Sequence, residues 1–295
     1  MTTFVGSWAD PTFRYTVNAM HDRGVCGPVL DLGQLILAGE LSLPLDGGPG
    51  EIGLAGERHL LGLPVVMRLI DLSIAAPSES LRDRAEGIQL SLARYLCALP
   101  WQQVVGGTWD NSNFSKAYQL TRWRDRAWAV PRSCLTNDPA VALEFVQSVP
   151  AIYKGASSSK SWATAFDVDD LDRLPLIRRS PVLFQELVPG IDVRVHVVYD
   201  RVFGEAIYSA GCDYRVDKGA RFEPLLVPAD IAADCVEVAR QMKLVLAGLD
   251  FKVTADGVWF FLEANSAPCF QGYDRRAGGA ISDAIADHLG TSRRR

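Results

Sequence analysis

Two apolar runs, Gly248-Leu-Asp-Phe-Lys-Val-Thr-Ala255 and Val258-Trp-Phe-Phe-Leu-Glu-Ala-Asn265, flank the dipeptide Asp256-Gly257. Asp-Gly between two strand-like runs is a strong short-range hairpin signal, because a two-residue turn needs the positive φ that glycine adopts freely. With those two residues as the loop, Ala255 faces Val258, and counting outward brings Asp250 directly opposite Glu263. Facing Cβ atoms on such a ladder lie about 5 Å apart. Asn265 follows Glu263 by two residues and so shares its face. Two carboxylates and an amide oxygen are therefore expected at one end of one hairpin.

Facing carboxylates repel, so something positive belongs between them. Removing one of them is expected to leave metal-free stability unchanged or higher. A small set of hard oxygen ligands suits Mg²⁺, which keeps waters and takes its remaining ligands from phosphates. The competing account is a solvated face with Lys252 as counter-ion.

Upstream, a strand over 182–188 runs into Pro189-Gly190 and then Asp192-Val-Arg-Val-His-Val-Val198. Alternation puts Asp192, Arg194 and His196 on one face and the valines on the other. With Asp200-Arg201 as the turn, His196 faces Glu205 in a plain cross-strand pair. Arg194 differs, since its planar fork suits a phosphate or an acyl phosphate. A further strand, Ala151-Ile-Tyr-Lys154, precedes the loop Gly155-Ala-Ser-Ser-Ser-Lys-Ser161. That loop is not a P-loop, because it lacks the second glycine and is one residue short. Its amides and hydroxyls, those of Ser157 and Ser158 among them, can still cover phosphates. Lys154 would add a point charge there, or is an ordinary exposed lysine.

The rest of the chain supplies the frame. Strand signals at Phe4-Val5, 29–32 and 65–70 alternate with helical ones over 11–23 and from 81 onward, the latter capped by Ser80. That alternation implies a parallel, doubly wound unit ending between 100 and 107, with a Gly-rich loop at 47–50. Helices follow over 115–127 and from Asp138-Pro139, then strands over 202–208, 249–254 and 258–264. One amphipathic helix carries Ile231, Cys235, Val238 and Met242 on one side. A formal charge of −5 without a basic stripe excludes a nucleic-acid track, the Arg293–Arg295 tail included. No apolar run approaches the roughly 18 residues of a membrane span. The N-terminus shows no secretory signal, and six cysteines without a CxxC pair suit reduced thiols in a cytoplasm. The four histidines have no metal-site spacing.

In order, Asn111-Ser-Asn-Phe-Ser-Lys-Ala-Tyr-Gln119, Val130-Pro-Arg132, Thr136-Asn-Asp138, Tyr153-Lys154, Phe184-Gln-Glu-Leu-Val188, Asp192-Val-Arg194, Asp213-Tyr-Arg215, Gly248-Leu-Asp250 and Leu262-Glu-Ala-Asn265 resemble the ATP-grasp superfamily. The likeness is to its RimK-like branch and to the graspetide ligases that modify ribosomal peptides. The resemblance implies a mixed α/β and α+β ATP-grasp fold. A doubly wound α/β domain over 1–105 would precede a central subdomain over 106–188 and a C-terminal, metal-bearing one over 189–295. The last two would sandwich ATP. It also implies that Lys116 and Lys154 hold the ATP phosphates, that Gln185, Glu186, Leu187 and Val188 form the hinge at adenine, and that Asp192 lies near the ribose. Asp250, Glu263 and Asn265 then match the magnesium ligands, and Arg194 and Arg215 the arginines at the γ-phosphate and the acyl phosphate.

The activity so implied is ATP-dependent carboxylate–amine ligation through an acyl phosphate, releasing ADP and phosphate, on an amino acid or small peptide. A peptide maturase and an inactive nucleotide-binding module are the alternatives. Graspetide ligases usually carry a lysine where this chain has Gly190, and the tail Asn265-Ser-Ala-Pro-Cys-Phe270 is nearer the RimK form. Both departures weigh against a ribosomal peptide. Neither nucleic acid nor membrane is expected as a partner, and homo-oligomerisation is left open.

Overall fold

The computed structural model describes residues 1–46, 50–107, 116–155, 163–211 and 213–292. Ser157, Ser158 and Cys212, most of the Gly-rich loop at 47–50, residues 111–115 of the first quoted motif and the Arg293–Arg295 tail lie outside the described residues.

At the N-terminus, strands β1 (Thr3–Gly6) and β2 (Val29–Asp31) enclose helix α1 (Pro11–Asp22). The Asp10 carboxylate accepts from the Thr12 and Phe13 amides at 2.7 and 3.2 Å, and Pro11 occupies the first turn, where its missing donor is harmless. Helix α2 (Leu32–Ala38) and strands β3 (Glu40–Ser42), β4 (Glu51–Leu54) and β5 (Glu57–Leu60) follow. Then come β6 (Val65–Met67), α3 (Glu79–Ala98) and β7 (Val104–Val105). The order β2-β1-β6-β7, parallel throughout, is the expected doubly wound arrangement. Ser78, not Ser80, caps α3, taking the Leu81 amide at 3.3 Å. The antiparallel sheet β3-β4-β5 was not anticipated, because its strands are too short and polar to show a period.

The middle of the chain holds α4 (Lys116–Arg122), β8 (Ser133–Thr136), α5 (Pro139–Ser148), β9 (Ala151–Gly155), β10 (Thr164–Ala165) and β11 (Val182–Glu186). Its sheet is antiparallel, in the order β10-β9-β11-β8. Asp138 caps α5 as expected. Helix α4 ends at Arg122, before the expected 127, and the chain beyond it inserts Trp128 against Phe261, with ring centroids 5.4 Å apart and nearly parallel.

The last third contains β12 (Ile191–Val198), β13 (Arg201–Tyr208), β14 (Arg221–Leu225), α6 (Ala229–Gln241), β15 (Leu246–Val253), β16 (Trp259–Asn265), α7 (Gln271–Arg276) and α8 (Ala280–Ser292). The five strands form one antiparallel sheet, ordered β14-β13-β12-β15-β16. One face packs Val193, Val195 and Val197 against Ile231, Cys235, Val238 and Met242. The opposite face carries Asp192, Arg194 and His196, as alternation requires. The expected partner of His196 is corrected: it faces Phe203, while Arg194 faces Glu205. The turn is Tyr199-Asp200, with Tyr199 at φ 57, so the register moves by two residues. A two-residue shift changes partners but preserves faces.

Gly190 links β11 to β12 at φ +150, and a Cβ there would lie 2.2 Å from the Val253 carbonyl oxygen. The lysine usual in graspetide ligases cannot occupy this backbone. Gly190→Lys is expected to lower stability by about 2 kcal/mol or more, read by chemical denaturation. A wild-type midpoint would show that the loop relaxes freely.

Candidate functional site

Asp250 does face Glu263, but by a route the sequence count did not contain. The loop has three residues, Ala255-Asp256-Gly257: the Thr254 amide donates to the Val258 carbonyl at 3.1 Å, and Gly257 sits at φ +84. That shifts the near end of the ladder to Val253–Trp259 and Phe251–Phe261. A register change between Asp250 and Phe251 then restores the pairing, leaving Leu262 as the extra residue of a β-bulge. The bulge decides which face Glu263 occupies. Phe261 points into the core, so a regular strand would send Glu263 there too; the extra residue sends Ala264 instead and turns Glu263 onto the face of Asp250. Asn265 joins them, its Nδ2 donating to Asp250 Oδ2 at 2.8 Å.

Cations surround the pair. Arg194, opposite Asp250 on the neighbouring strand, donates from Nη1 to Asp250 Oδ2 at 2.6 Å. Lys116, the first residue of α4, places Nζ 3.4 Å from Glu263 Oε2. Lys154 on β9 donates to Gln185 Oε1 at 3.1 Å, and Gln185 in turn donates to Ser133 Oγ at 3.1 Å. Burial pushes the Lys154 ammonium down to about 8, against the pull of Glu263 and Asp250 and with the push of Lys116. Burial also raises Glu263, but Lys116, Lys154 and Arg194 together outweigh it and hold that carboxyl below its usual range. At Asp250 burial prevails over Arg194, assisted by Glu263, and the group titrates high. Lys252 is not the counter-ion of this pair. It donates to Asp192 at 2.9 Å, whose carboxyl burial nonetheless lifts to about 6.

The premise behind the expectation that removing one acid spares metal-free stability is therefore corrected. It assumed uncompensated repulsion, whereas each carboxylate is the partner of a buried cation. Glu263 Oε2 itself is buried, and among the described residues its partner is the Lys116 ammonium rather than a close hydrogen-bond donor. Among the described residues no cluster of three or more His, Cys, Asp and Glu could hold a metal. Two acids and one amide are what Mg²⁺ needs when phosphates and waters complete its shell, so the donor set fits that ion.

Arg215 lies on the short turn after β13, and its fork is taken by Asp213, with Nε donating to Oδ1 at 2.8 Å and Nη2 to Oδ2. In the hinge, the Glu186 and Leu187 amides are committed to the Arg132 and Pro150 carbonyls, each at 2.8 Å. Two residues to which the sequence assigned no role brace the site. Gln119, on the first turn of α4, holds both the amide and the carbonyl of Ala264. Arg68, just after β6, donates to Asp10 Oδ2 at 2.6 Å and to the Ala267 carbonyl at 2.7 Å. The strand-to-loop exit after β7 presses on the same segment, since a Cβ on Gly107 would overlap Ser266. Only the tertiary structure brings these residues together, so no local pattern could reveal them.

Asp250→Ala leaves the Arg194 guanidinium buried without its partner and is expected to cost about 3–5 kcal/mol without metal. Asp250→Asn, which keeps an acceptor, should cost less. Urea unfolding of both variants in chelator measures this, and an unaltered Asp250→Ala would restore the repulsion account.

Residues 128–289 match the model of the RimK-like ATP-grasp domain. Over 118 residues the chain is 30% identical to a probable alpha-L-glutamate ligase 2 of Shewanella amazonensis, covering 38% of each, so it matches well under half the length of that curated relative. Among solved structures it resembles the ATP-grasp ligase PsnB, complexed with a phosphomimetic variant of minimal precursor, Mg and ADP. That likeness has a TM-score of 0.80 and 27% identity and covers 98% of both chains. PsnB has also been solved with precursor peptide PsnA2 and AMPPNP, with a TM-score of 0.76, 27% identity, and 98% of this chain and 97% of that one covered. The macrocyclase MdnC from Microcystis aeruginosa MRC, bound with precursor peptide MdnA, has a TM-score of 0.79 over 99% of this chain and 100% of its own, and its 20% identity speaks for the fold. With the family model spanning more than half its length, the chain belongs to the RimK-like ATP-grasp family.

Proposed function

We propose that this ligase uses ATP to activate a carboxylate on a peptide and joins it to an amine through an acyl phosphate. The observation that carries the chemistry is the pairing of Asp250 with Glu263 inside a ring of buried cations. Lys116, Lys154 and Arg194 together exceed the charge of the two acids, a surplus suited to a polyphosphate. The peptide substrate is supported by the likeness to PsnB along the whole chain, where the glutamate-ligase likeness is local. A second reading, ligation of a free amino acid, keeps the support of that relative and of Gly190. Three units are proposed, 1–105, 106–188 and 189–295, with the nucleotide between the last two.

In this reading Lys116 and Lys154 hold the phosphates, with Ser157 and Ser158 covering them. The hinge backbone of Gln185, Glu186, Leu187 and Val188 would meet adenine with groups other than the engaged Glu186 and Leu187 amides, and Asp192 lies at the ribose. Asp250, Glu263 and Asn265 would hold Mg²⁺, which supplies charge neutralisation at the phosphate oxygens. The substrate carboxylate attacks the γ-phosphorus and the bond to ADP breaks; the amine then attacks the acyl carbon of the acyl phosphate, the carbon–oxygen bond to phosphate breaks, phosphate leaves, and the amine's proton goes to solvent. Arg194 stabilises the transferred group from behind Asp250. Arg215, oriented by Asp213, does so as well.

Turnover is expected to yield ADP and phosphate, screened against amino acids, dipeptides and peptides encoded near the gene. AMP and pyrophosphate with the true substrate would remove the mechanism.

Lys154 adds a pH dependence. Its ammonium lies at about 8 in the free protein, against 10.5 for an ordinary lysine, and phosphates beside it would raise it again. As pH climbs through that window ATP must recruit a proton, so apparent affinity should fall and binding should take protons up. Calorimetry in two buffers of different ionisation enthalpy measures this, and Lys154→Arg, charged at all these pH values, should abolish it.

A further inference from the structure

β16 is an edge strand, and its outer backbone is covered in two places by different means. Near the turn, Ala129 lies alongside, its amide donating to the Trp259 carbonyl at 2.8 Å and its carbonyl accepting from the Phe261 amide at 2.9 Å. In a regular strand the next outward-facing residue would be Glu263. The bulge at Leu262 moves that place to Ala264, which no strand among the described residues reaches. There the Gln119 side chain takes over: Oε1 accepts from the Ala264 amide at 2.7 Å and Nε2 donates to the Ala264 carbonyl at 2.9 Å. Gln119 is 1% exposed, so both bonds are made away from water.

We infer that Gln119 is a positioning residue for the metal centre: by gripping both sides of Ala264 it fixes the directions of Glu263 and Asn265. This rests on the metal reading given above. Ala264 lies between the two side chains, and the orientation of its peptide groups sets both neighbouring Cα–Cβ vectors. The inner ladder to β15 constrains them from one side, but it has just passed through a bulge, where pairing is locally broken. Without an outer constraint the three residues after Leu262 could twist about β15. Gln119 supplies that constraint from a helix whose first residue, Lys116, pairs with Glu263. One turn of α4 thus delivers a cation to the carboxylate and a clamp to the backbone behind it.

Mere protection of an open strand edge would require the same two bonds, so stability alone does not discriminate. Metal affinity does. Residues that orient metal ligands typically change affinity about 10- to 100-fold when replaced. The probe is Mn²⁺ titrated into the full chain with ADP, followed by electron paramagnetic resonance of the free ion. The variants are Gln119→Met, of similar size with neither bond, Gln119→Glu, which retains the acceptor and loses the donor, and Glu263→Gln. Amide exchange at Ala264 reports whether the clamp is open.

Gln119→Met is expected to bind Mn²⁺ at least about tenfold more weakly, with fast exchange at Ala264 and a broadened or altered bound-ion spectrum. Gln119→Glu should fall between it and wild type. Gln119→Met with fast exchange at Ala264 and wild-type Mn²⁺ affinity would overturn the inference. If that variant does not fold, Gln119→Glu decides by the same reading, and unchanged affinity there overturns it equally. Failure of the metal reading is a separate result: Glu263→Gln would then bind Mn²⁺ as wild type does.

Discussion

Two carboxylates facing each other across one β-ladder, largely out of water, set the terms for everything around them. Removing a carboxylate from water is unfavourable by several kcal/mol unless a counter-charge comes with it, and a second carboxylate opposite makes it worse. The fold meets that demand from three directions. Arg194 arrives from the next strand of the same sheet, Lys116 from the start of α4, and Lys154 from the middle sheet. Lys116 and Arg194 are themselves buried and need the acids as much as the acids need them. Both acids are therefore compensated before any ligand is present, and the cluster brings together segments more than a hundred residues apart in the chain.

The hairpin shows both the reach and the limit of sequence reasoning. Asp-Gly announced a turn, and the facing of Asp250 and Glu263 was correct. It was correct because two departures cancel: the loop is one residue longer than counted, and the bulge at Leu262 restores the register. The loop length follows from Thr254 closing on Val258, a preference that Asp-Gly alone does not encode. The bulge follows from the core, which takes Phe261 and Ala264 and rejects a carboxylate between them. Valine alternation on β12 gave the faces correctly, yet partners slipped by two residues where Tyr199 accepted a positive φ normally left to asparagine or glycine. Periodicity carried the doubly wound sheet and α6, because each buries a long apolar face. It could not carry β3, β4 and β5, which are only three or four residues long, nor the contacts of Gln119 and Arg68, which exist only across the tertiary structure.

Arg215 and the hinge show a different kind of gap between motif and geometry. A match in residue type assigns a role; the structure shows what holds the side chain in place for it. Asp213 occupies two of the guanidinium bonds of Arg215 and accepts its amide as well, so Asp213 also sets its orientation. A planar fork held on one edge presents its other edge in a fixed direction, which is how an arginine becomes geometry-specific rather than merely positive. Likewise two of the hinge amides serve the junction between β11 and its neighbours, narrowing what an adenine ring could meet there.

The choice of lysine at positions 116 and 154, with arginine at 194, follows from the same constraint. Arg194 sits where a strand neighbour must hold an acid permanently, and a guanidinium keeps its charge at any accessible pH. Lys154 is held by an amide oxygen rather than a carboxylate, and burial brings its ammonium down to about 8, so the empty site loses that charge only as pH rises through this range. A polyphosphate reverses that balance and draws the proton back. The fixed charge supports the ladder, and the adjustable one answers the ligand. Preorganisation of this kind places dipoles and charges before the reaction without requiring every one of them to be paid for in the resting protein.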